Sequence, residues 1–216
     1  MDGNGRWAQS RGRSRPAGHR AGVRAARRLL EAARDHSVKI LTVFAFSQEN
    51  WQRPATEVRL LMRLFQLTLG RELAAINENG ISLRFIGDQS RFPEHLQKAM
   101  REAEQLTAAN TRLRLQVAVG YGGQWDIIQA AQAVVAAGEK LTHEALECRL
   151  STAGLPPPDL LIRTGGECRI SNFMLWQMAY TEIYFSDCLW PEFDAAIFES
   201  ALKWYAGRQR RFGKVL

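Results

Sequence analysis

Helical and extended patterns alternate along this chain, and that alternation narrows the possible folds more than any other feature of the sequence. Apolar positions recur at helical spacing over residues 18–36, through Val23, Ala26, Leu30 and Ala33, and a β-branched, apolar run at 38–46 then predicts a buried strand. Thr56 is a suitable N-cap for a long helix that stops at Asn79-Gly80. Residues 81–87 read as a strand, 93–109 as a helix, 113–119 as a strand, and 124–137 and 142–153 as helices. Residues 159–163, after three prolines, and 180–185 read as short strands, and 193–211 as a closing helix. Such alternation predicts an α/β fold, a mainly parallel central sheet flanked by helices, with ligands at the carboxyl ends of the strands. At 216 residues with no linker-like stretch, one domain is expected over the whole chain.

Polar motifs fall where that rule puts a ligand. Ser47-Gln48-Glu49-Asn50-Trp51-Gln52-Arg53, Gly120-Tyr121-Gly122-Gly123 and Arg163-Thr164-Gly165-Gly166 each leave the end of an expected strand. The chain opens on Met1-Asp2-Gly3-Asn4-Gly5-Arg6-Trp7 and later carries Glu167-Cys168-Arg169-Ile170-Ser171. An acid that can hold a divalent metal, glycines that let backbone N–H groups approach phosphate, and arginines that bind it bidentately together point to diphosphate chemistry. Taken alone, Asp2 also reads as the N-cap of a helix starting near Gly5, and His19 as either a surface histidine or a phosphate donor beside Arg15. Trp7 and Trp51 are packing residues unless their polar neighbours recruit them. The 56–79 helix is apolar around much of its girth, through Leu60, Leu61, Leu64, Phe65, Leu67 and Leu69. Protein on several sides and an apolar ligand cavity on one side explain that girth equally well.

Other chemistries fit less well. Gly3-Asn4-Gly5-Arg6-Trp7-Ala8 matches G-x-G-x-x-A, but no strand precedes it in this sequence, and no G-x-x-x-x-G-K-[ST] motif occurs. The net charge of +7 is local: residues 3–30 hold eight arginines and no acid, whereas the remainder holds 21 basic and 22 acidic residues. That segment meets an anion, whether phosphate, nucleic acid or lipid surface. It lacks the interleaved aromatics of a base-stacking surface, so no nucleic-acid partner is expected. Cys148, Cys168 and Cys188 form no C-x-x-C pair and read as reduced thiols of a cytoplasmic protein, and four scattered histidines argue against structural zinc. No signal-peptide pattern opens the chain and no apolar run approaches the ~20 residues of a membrane span, so any membrane contact is expected to be peripheral.

Taken together, these segments resemble the cis-prenyltransferases across nearly the whole chain. The resemblance runs through Asp2-Gly3-Asn4-Gly5-Arg6-Trp7-Ala8, Gly18-His19, Phe44 to Pro54, Ile86-Gly87-Asp88, Tyr121-Gly122-Gly123, Ile162 to Phe173 and Leu189-Trp190-Pro191. It implies a homodimer with an apolar tunnel that adds isopentenyl diphosphate units to farnesyl diphosphate in cis geometry, using Mg²⁺. The implied product is undecaprenyl diphosphate, for the bacterial cell-wall lipid carrier; relatives with other product lengths share these motifs. Carried over by residue, Asp2 is the catalytic, metal-binding acid, and Gly3, Asn4, Gly5, Arg6, Arg15 and His19 hold the allylic diphosphate beside Trp7. Ser47, Gln48, Glu49, Trp51 and Arg53 continue the pocket, with Asn50 the family's proposed proton acceptor. Arg163, Arg169, Ile170 and Ser171 bind isopentenyl diphosphate, and Glu182 is a second metal-associated acid. Because a neutral amide is a feeble base, Asn50 is expected to position a water or diphosphate oxygen. Arg211-Phe212-Gly213 fits an R-x-G signature reaching the partner subunit. The resemblance also implies an apolar strand ahead of Asp2, upstream of the residues given, and Cys168 stands where some relatives have a metal-associated histidine.

Overall fold

The structure, a computed structural model, describes residues 1–209, so Arg211-Phe212-Gly213 lies outside it. Two compact units form, one from Met1–Ala32 with the chain from Pro156 onward, the other from Ala33–Leu155. Every strand pairs in parallel. In the Ala33–Leu155 unit, β1 (Ile40–Ser47), β2 (Ile81–Ile86) and β3 (Leu113–Tyr121) make a sheet of order β1-β3-β2, with β3 central. In the other unit β4 (Leu160–Arg163) pairs β5 (Glu182–Phe185) in register, Leu160 opposite Glu182 and Arg163 opposite Phe185.

Local chemistry explains the elements of the Ala33–Leu155 unit. β2 buries Ile81, Leu83 and Phe85 while Arg84 is exposed, the two-residue period of a half-covered strand. α4 (Glu94–Thr107) answers with Leu96, Met100, Ala103 and Thr107, all buried and on one helical face. Thr107 seals the contact: its hydroxyl accepts from the Leu83 N–H at 3.0 Å and donates to the Ala103 carbonyl at 2.9 Å. α3 (Ala55–Glu78) starts with Pro54 at its N-cap, so Thr56 lies inside the helix and does not cap it. Only Leu69 and Ile76 of α3 are fully buried; Leu61, Met62, Leu64 and Phe65 are half-covered and Leu60 and Leu67 exposed.

Two further departures from expectation have local causes. β1 is mostly half-buried; among the described residues it lies at an edge of its sheet and pairs only with β3. The helix expected over 142–153 is α6 (His143–Glu147) alone, capped by the Thr142 side chain. It stops because the Ser151 N–H donates to Asp126 of α5 (Gly123–Ala136) at 2.9 Å. The same buried carboxylate accepts from the Ser151 hydroxyl at 2.7 Å, Gln129 at 3.1 Å and the Tyr121 hydroxyl at 2.9 Å. A buried carboxylate with this many donors is stabilising only while all are kept. Asp126→Ala is expected to lower stability by about 3 kcal/mol in urea unfolding, and Asp126→Asn by clearly less.

In the unit holding Asp2, α1 (Asn4–Gln9) lies close against α2 (Arg15–Asp35). A Cβ on Gly22 would come within 2.1 Å of Asn4 Oδ1, and one on Gly18 within 2.0 Å of the Asn4 carbonyl, so only glycine admits that approach. Pro16 sits in the first turn of α2, where its missing N–H costs no intrahelical bond. α7 (Ala195–Ala206) starts later than the expected 193, because the Asp194 side chain caps it through the Ile197 N–H. No described helix is long and apolar enough to cross a membrane.

Candidate active site

Asp2 is fixed by its backbone before its side chain is considered. The Thr164 hydroxyl, 2% exposed, accepts from the Asp2 N–H and donates to the Asp2 carbonyl, both at 3.1 Å. The same carbonyl accepts from the Trp190 N–H at 2.9 Å. Trp190 is itself tied to α2, its indole N–H donating to the Gly22 carbonyl at 2.9 Å, and it stacks on Phe193 at 5.5 Å between centroids. Arg28 donates to the Pro191 and Phe193 carbonyls at 2.9 and 3.0 Å. Thr164 comes just after β4, so the sheet's carboxyl end, α2 and the Leu189–Pro191 segment converge on one residue.

That clamp leaves the Asp2 carboxylate facing cations. Oδ2 lies 3.2 Å from Arg163 Nη2 and Oδ1 3.6 Å from Arg6 Nη2, and the Asp2 side chain keeps 44% exposure. Arg6 also reaches Glu167 at 3.7 Å, and Glu167 pairs with Arg169 at 2.5 Å. Arg163 donates to the Arg169 carbonyl and to Ser171 Oγ, the latter at 2.9 Å. Gly165, at φ 94°, lets the chain pass this cluster, since a Cβ there would lie 2.7 Å from Arg6 Nη2. The Arg15 guanidinium lies against Gly5, and His19 follows one turn later on α2. Trp7 is half-buried, with the Arg11 guanidinium 4.8 Å and that of Arg13 5.8 Å from its ring. Gly3 occupies the N-cap position of α1; Asp2 does not cap that helix, because its carboxylate faces the arginines. The Phe173 N–H closes a turn on the Ile170 carbonyl, and Ser171 itself has φ 48°.

Among the sequence-derived residues, Asp2, Gly3, Asn4, Gly5, Arg6, Arg15, Arg163, Arg169 and Ser171 are therefore brought together within one unit. Glu182 sits elsewhere in that unit: it starts β5 opposite Leu160, at the far end of the strands from Arg163, and its carboxylate pairs with Arg208 at 3.0 Å. Ser47, Gln48, Glu49, Asn50, Trp51 and Arg53 belong to the other unit. They leave β1 through a 3-10 turn, Gln48–Gln52. There the Asn50 side-chain oxygen accepts from the Ser47 N–H at 3.1 Å, Arg53 pairs with Glu57 at 3.0 Å, and Trp51 packs edge-on against Phe46 and Phe92.

The cluster fits a metal–diphosphate complex better than a protein-only metal cage. Among the described residues no three His, Cys, Asp or Glu side chains converge. Mg²⁺ is commonly held by one or two carboxylates plus phosphate oxygens and waters, and a half-exposed Asp2 between two guanidiniums offers that carboxylate with the partners a diphosphate needs. Two buried polar atoms here, Asn4 Oδ1 and Arg163 Nε, have no hydrogen-bond partner among the described residues, a cost more common at functional sites than in cores.

Comparison with known proteins agrees with the geometry. A family model described as putative undecaprenyl diphosphate synthase matches residues 1–213. The chain is 55% identical to the farnesyl-diphosphate-specific ditrans,polycis-undecaprenyl-diphosphate synthase of Pseudomonas aeruginosa, covering 99% of this chain and 88% of that protein. It is 52% identical to an isoprenyl transferase of Ralstonia nicotianae, covering 99% and 85%. Its fold matches lavandulyl diphosphate synthase from Lavandula x intermedia, crystallised with dimethylallyl diphosphate, with TM-score 0.93, 38% identity and 99% and 95% coverage. It also matches a probable undecaprenyl diphosphate synthase from Campylobacter jejuni, with TM-score 0.83, 35% identity and 90% and 92% coverage. The chain belongs to the undecaprenyl diphosphate synthase family of prenyltransferases.

Thr164 and Trp190 stand in the sequence motifs Arg163-Thr164-Gly165-Gly166 and Leu189-Trp190-Pro191 but were given no role in the site there. The signal for Thr164 was its place directly after Arg163, at a strand's carboxyl end. Removing its hydroxyl leaves the Asp2 N–H without this acceptor and the Asp2 carbonyl held by the Trp190 N–H alone. Thr164→Val is expected to lower prenyl-transfer turnover by about 10²-fold, while Thr164→Ser retains most of it; a Val variant with wild-type turnover contradicts the clamp.

Proposed function

We propose that this chain condenses isopentenyl diphosphate units sequentially onto farnesyl diphosphate with cis geometry, giving undecaprenyl diphosphate for the bacterial cell-wall lipid carrier. The observation that carries the reading is the Asp2 carboxylate held between Arg163 and Arg6 at 3.2 and 3.6 Å, in a chain 55% identical to a synthase of that name. We propose further that both units serve one prenyltransferase domain, since a single family model runs through residues 1–213.

Ionisation of an allylic diphosphate leaves a carbocation and a diphosphate anion, so the protein must stabilise the anion and keep water from the cation. Arg6 and Arg15, the backbone of Gly3, Asn4 and Gly5, and His19 hold the allylic diphosphate beside Trp7. Arg163, Arg169, Ser171 and the Ile170 backbone take isopentenyl diphosphate, and Arg163 exchanges its present carbonyl and hydroxyl acceptors for phosphate oxygens. Bound Mg²⁺, associated with Asp2, supplies charge neutralisation to the diphosphates. Glu182 would hold a metal only where Arg208 releases it, at the end of β5 away from Arg163. Once diphosphate has left, the alkene of isopentenyl diphosphate attacks the allylic cation, and the added unit gives up a proton to a water or diphosphate oxygen. Asn50 spends its oxygen on the Ser47 N–H, which favours a positioning role for it alongside Ser47, Gln48, Glu49, Trp51 and Arg53. The half-covered Leu61, Met62, Leu64 and Phe65 of α3 offer apolar surface to the growing chain.

We take the working form as a cytoplasmic homodimer in peripheral contact with the membrane. The free thiols agree with a reducing compartment, and Ile128 and Val135, 56% and 68% exposed at i and i+7 on α5, offer apolar surface to a second copy.

Labelled isopentenyl diphosphate, farnesyl diphosphate, Mg²⁺ and detergent are expected to give a ladder of polyprenols whose longest member is undecaprenol. A different end point changes the product assignment, and no Mg²⁺-dependent incorporation overturns the activity. Asp2→Ala is expected to lose about 10³-fold in turnover with an unchanged circular dichroism spectrum.

A further inference from the structure

Arg28 differs from the exposed Arg20, Arg24 and Arg27 of the same helix in being half-buried. Its Nη2 donates to the Pro191 and Phe193 carbonyls at 2.9 and 3.0 Å, while its buried Nε has no hydrogen-bond partner among the described residues. Covering part of a guanidinium with one nitrogen unpaired is costly, and a methionine would fill the space of the stem without that cost. The carbonyls it serves explain why an arginine stands here. Trp190–Glu192 is a 3-10 turn that ends at Phe193, whose backbone is extended (φ −63°, ψ 125°), so no further turn of helix offers N–H donors to its last carbonyls. Pro191 and Phe193 are both buried, which makes solvent a poor substitute. The two acids of this segment are engaged elsewhere: Glu192 pairs with Arg11 at 2.5 Å, and Asp194 caps α7. Arg28 therefore closes the carboxyl end of the turn, while at its other end the Trp190 N–H donates to the Asp2 carbonyl at 2.9 Å.

We propose that Arg28 is a positioning residue of prenyl transfer: by capping the Trp190–Glu192 turn from α2, it holds the Trp190 N–H on the Asp2 carbonyl. Arg28 lies outside the diphosphate cradle and acts through Trp190. The proposal rests on the reading of Asp2 as the acid of a prenyl-transfer site. The turn is fastened to α2 at two points, Arg28 and the Gly22 carbonyl that accepts from the Trp190 indole N–H at 2.9 Å. The Asp2 carbonyl likewise has two donors, the Thr164 hydroxyl and the Trp190 N–H. Either donor alone keeps the peptide near its place, whereas loss of both lets the carboxylate turn away from Arg163 and Arg6. Loosening Trp190 through Arg28 and deleting the Thr164 hydroxyl therefore compound each other, because they act on one carbonyl. A residue that only stabilised the fold would lower stability without that coupling in turnover.

The test compares Arg28→Met, Thr164→Val and the double variant in steady-state, Mg²⁺-dependent incorporation of isopentenyl diphosphate, together with backbone hydrogen exchange at Trp190. Arg28→Met is expected to lose about tenfold in kcat. KM for isopentenyl diphosphate is expected to stay within about twofold, because Arg28 donates to neither Arg163, Arg169 nor Ser171. The Trp190 amide is expected to exchange about tenfold faster than in the wild type. In the double variant the loss in kcat is expected to exceed the product of the two single losses. Arg28→Lys, whose ammonium reaches one bond less far but still carries donors for two carbonyls, is expected to recover most of the turnover. If Arg28→Met fails to fold, Arg28→Gln, with a shorter amide donor, takes its place in each comparison. Wild-type kcat in Arg28→Met, an unchanged Trp190 exchange rate, a loss that Lys does not recover, or single losses that simply multiply overturns the proposal. Wild-type protein without incorporation overturns the enzymatic reading and the role in turnover with it, while faster Trp190 exchange in Arg28→Met would still support the fastening of the turn.

Discussion

The site depends on the clamp that Thr164 and Trp190 place on the Asp2 peptide. A carboxylate between two guanidiniums would ordinarily relax toward whichever pairing its backbone allowed, and exposed ion pairs of this kind have little orienting power of their own. Here the backbone is fixed first: three hydrogen bonds reach the N–H and carbonyl of one residue, two of them from a side chain 2% exposed. The carboxylate can then remain 44% exposed and still point at Arg163 and Arg6. A rigid main chain with an accessible acid is what a metal–diphosphate complex needs, since ligand exchange must occur without remodelling the protein.

The charge of the segment divides accordingly. Arg6 lies beside Asp2 and Arg15 against Gly5, Arg28 ties α2 to the Trp190 segment, and Arg20, Arg24 and Arg27 face away from the buried side of α2. The eight arginines of residues 3–30 therefore serve several distinct places rather than one uniform patch.

Much of this was legible in the sequence where local periodicity was strong. The strand over 81–87 and the helix over 93–109 emerge as Ile81–Ile86 and Glu94–Thr107, because alternation in one and the Leu96, Met100, Ala103 spacing in the other match their burial. Boundaries set by distant partners were not legible: the 142–153 helix ends early because Asp126, many residues away, takes the Ser151 N–H. β1 has a sequence suited to a buried strand, yet its burial is set by sheet order. Of the site, residue types and strand-end positions announced the Asp2, Arg6 and Arg163 cluster. Thr164 stood in the Arg163-Thr164-Gly165-Gly166 motif without a role, since a threonine reads the same whether it holds a backbone in place or simply ends a strand. The Glu182–Arg208 pair was silent, because it depends on where a helix end meets the start of β5.

The central claim is that the clamped Asp2 carboxylate receives a metal together with the diphosphates. Anomalous diffraction from crystals soaked with Mn²⁺, isopentenyl diphosphate and an unreactive thio analogue of farnesyl diphosphate tests it most directly. The account predicts Mn²⁺ at about 2.1 Å from an Asp2 carboxylate oxygen, sharing a diphosphate oxygen, with Arg163 and Arg6 turned onto phosphate and the Thr164 hydrogen bonds intact. Both diphosphates bound with no metal at Asp2, or a metal reached only after the Asp2 peptide leaves Thr164, would contradict it.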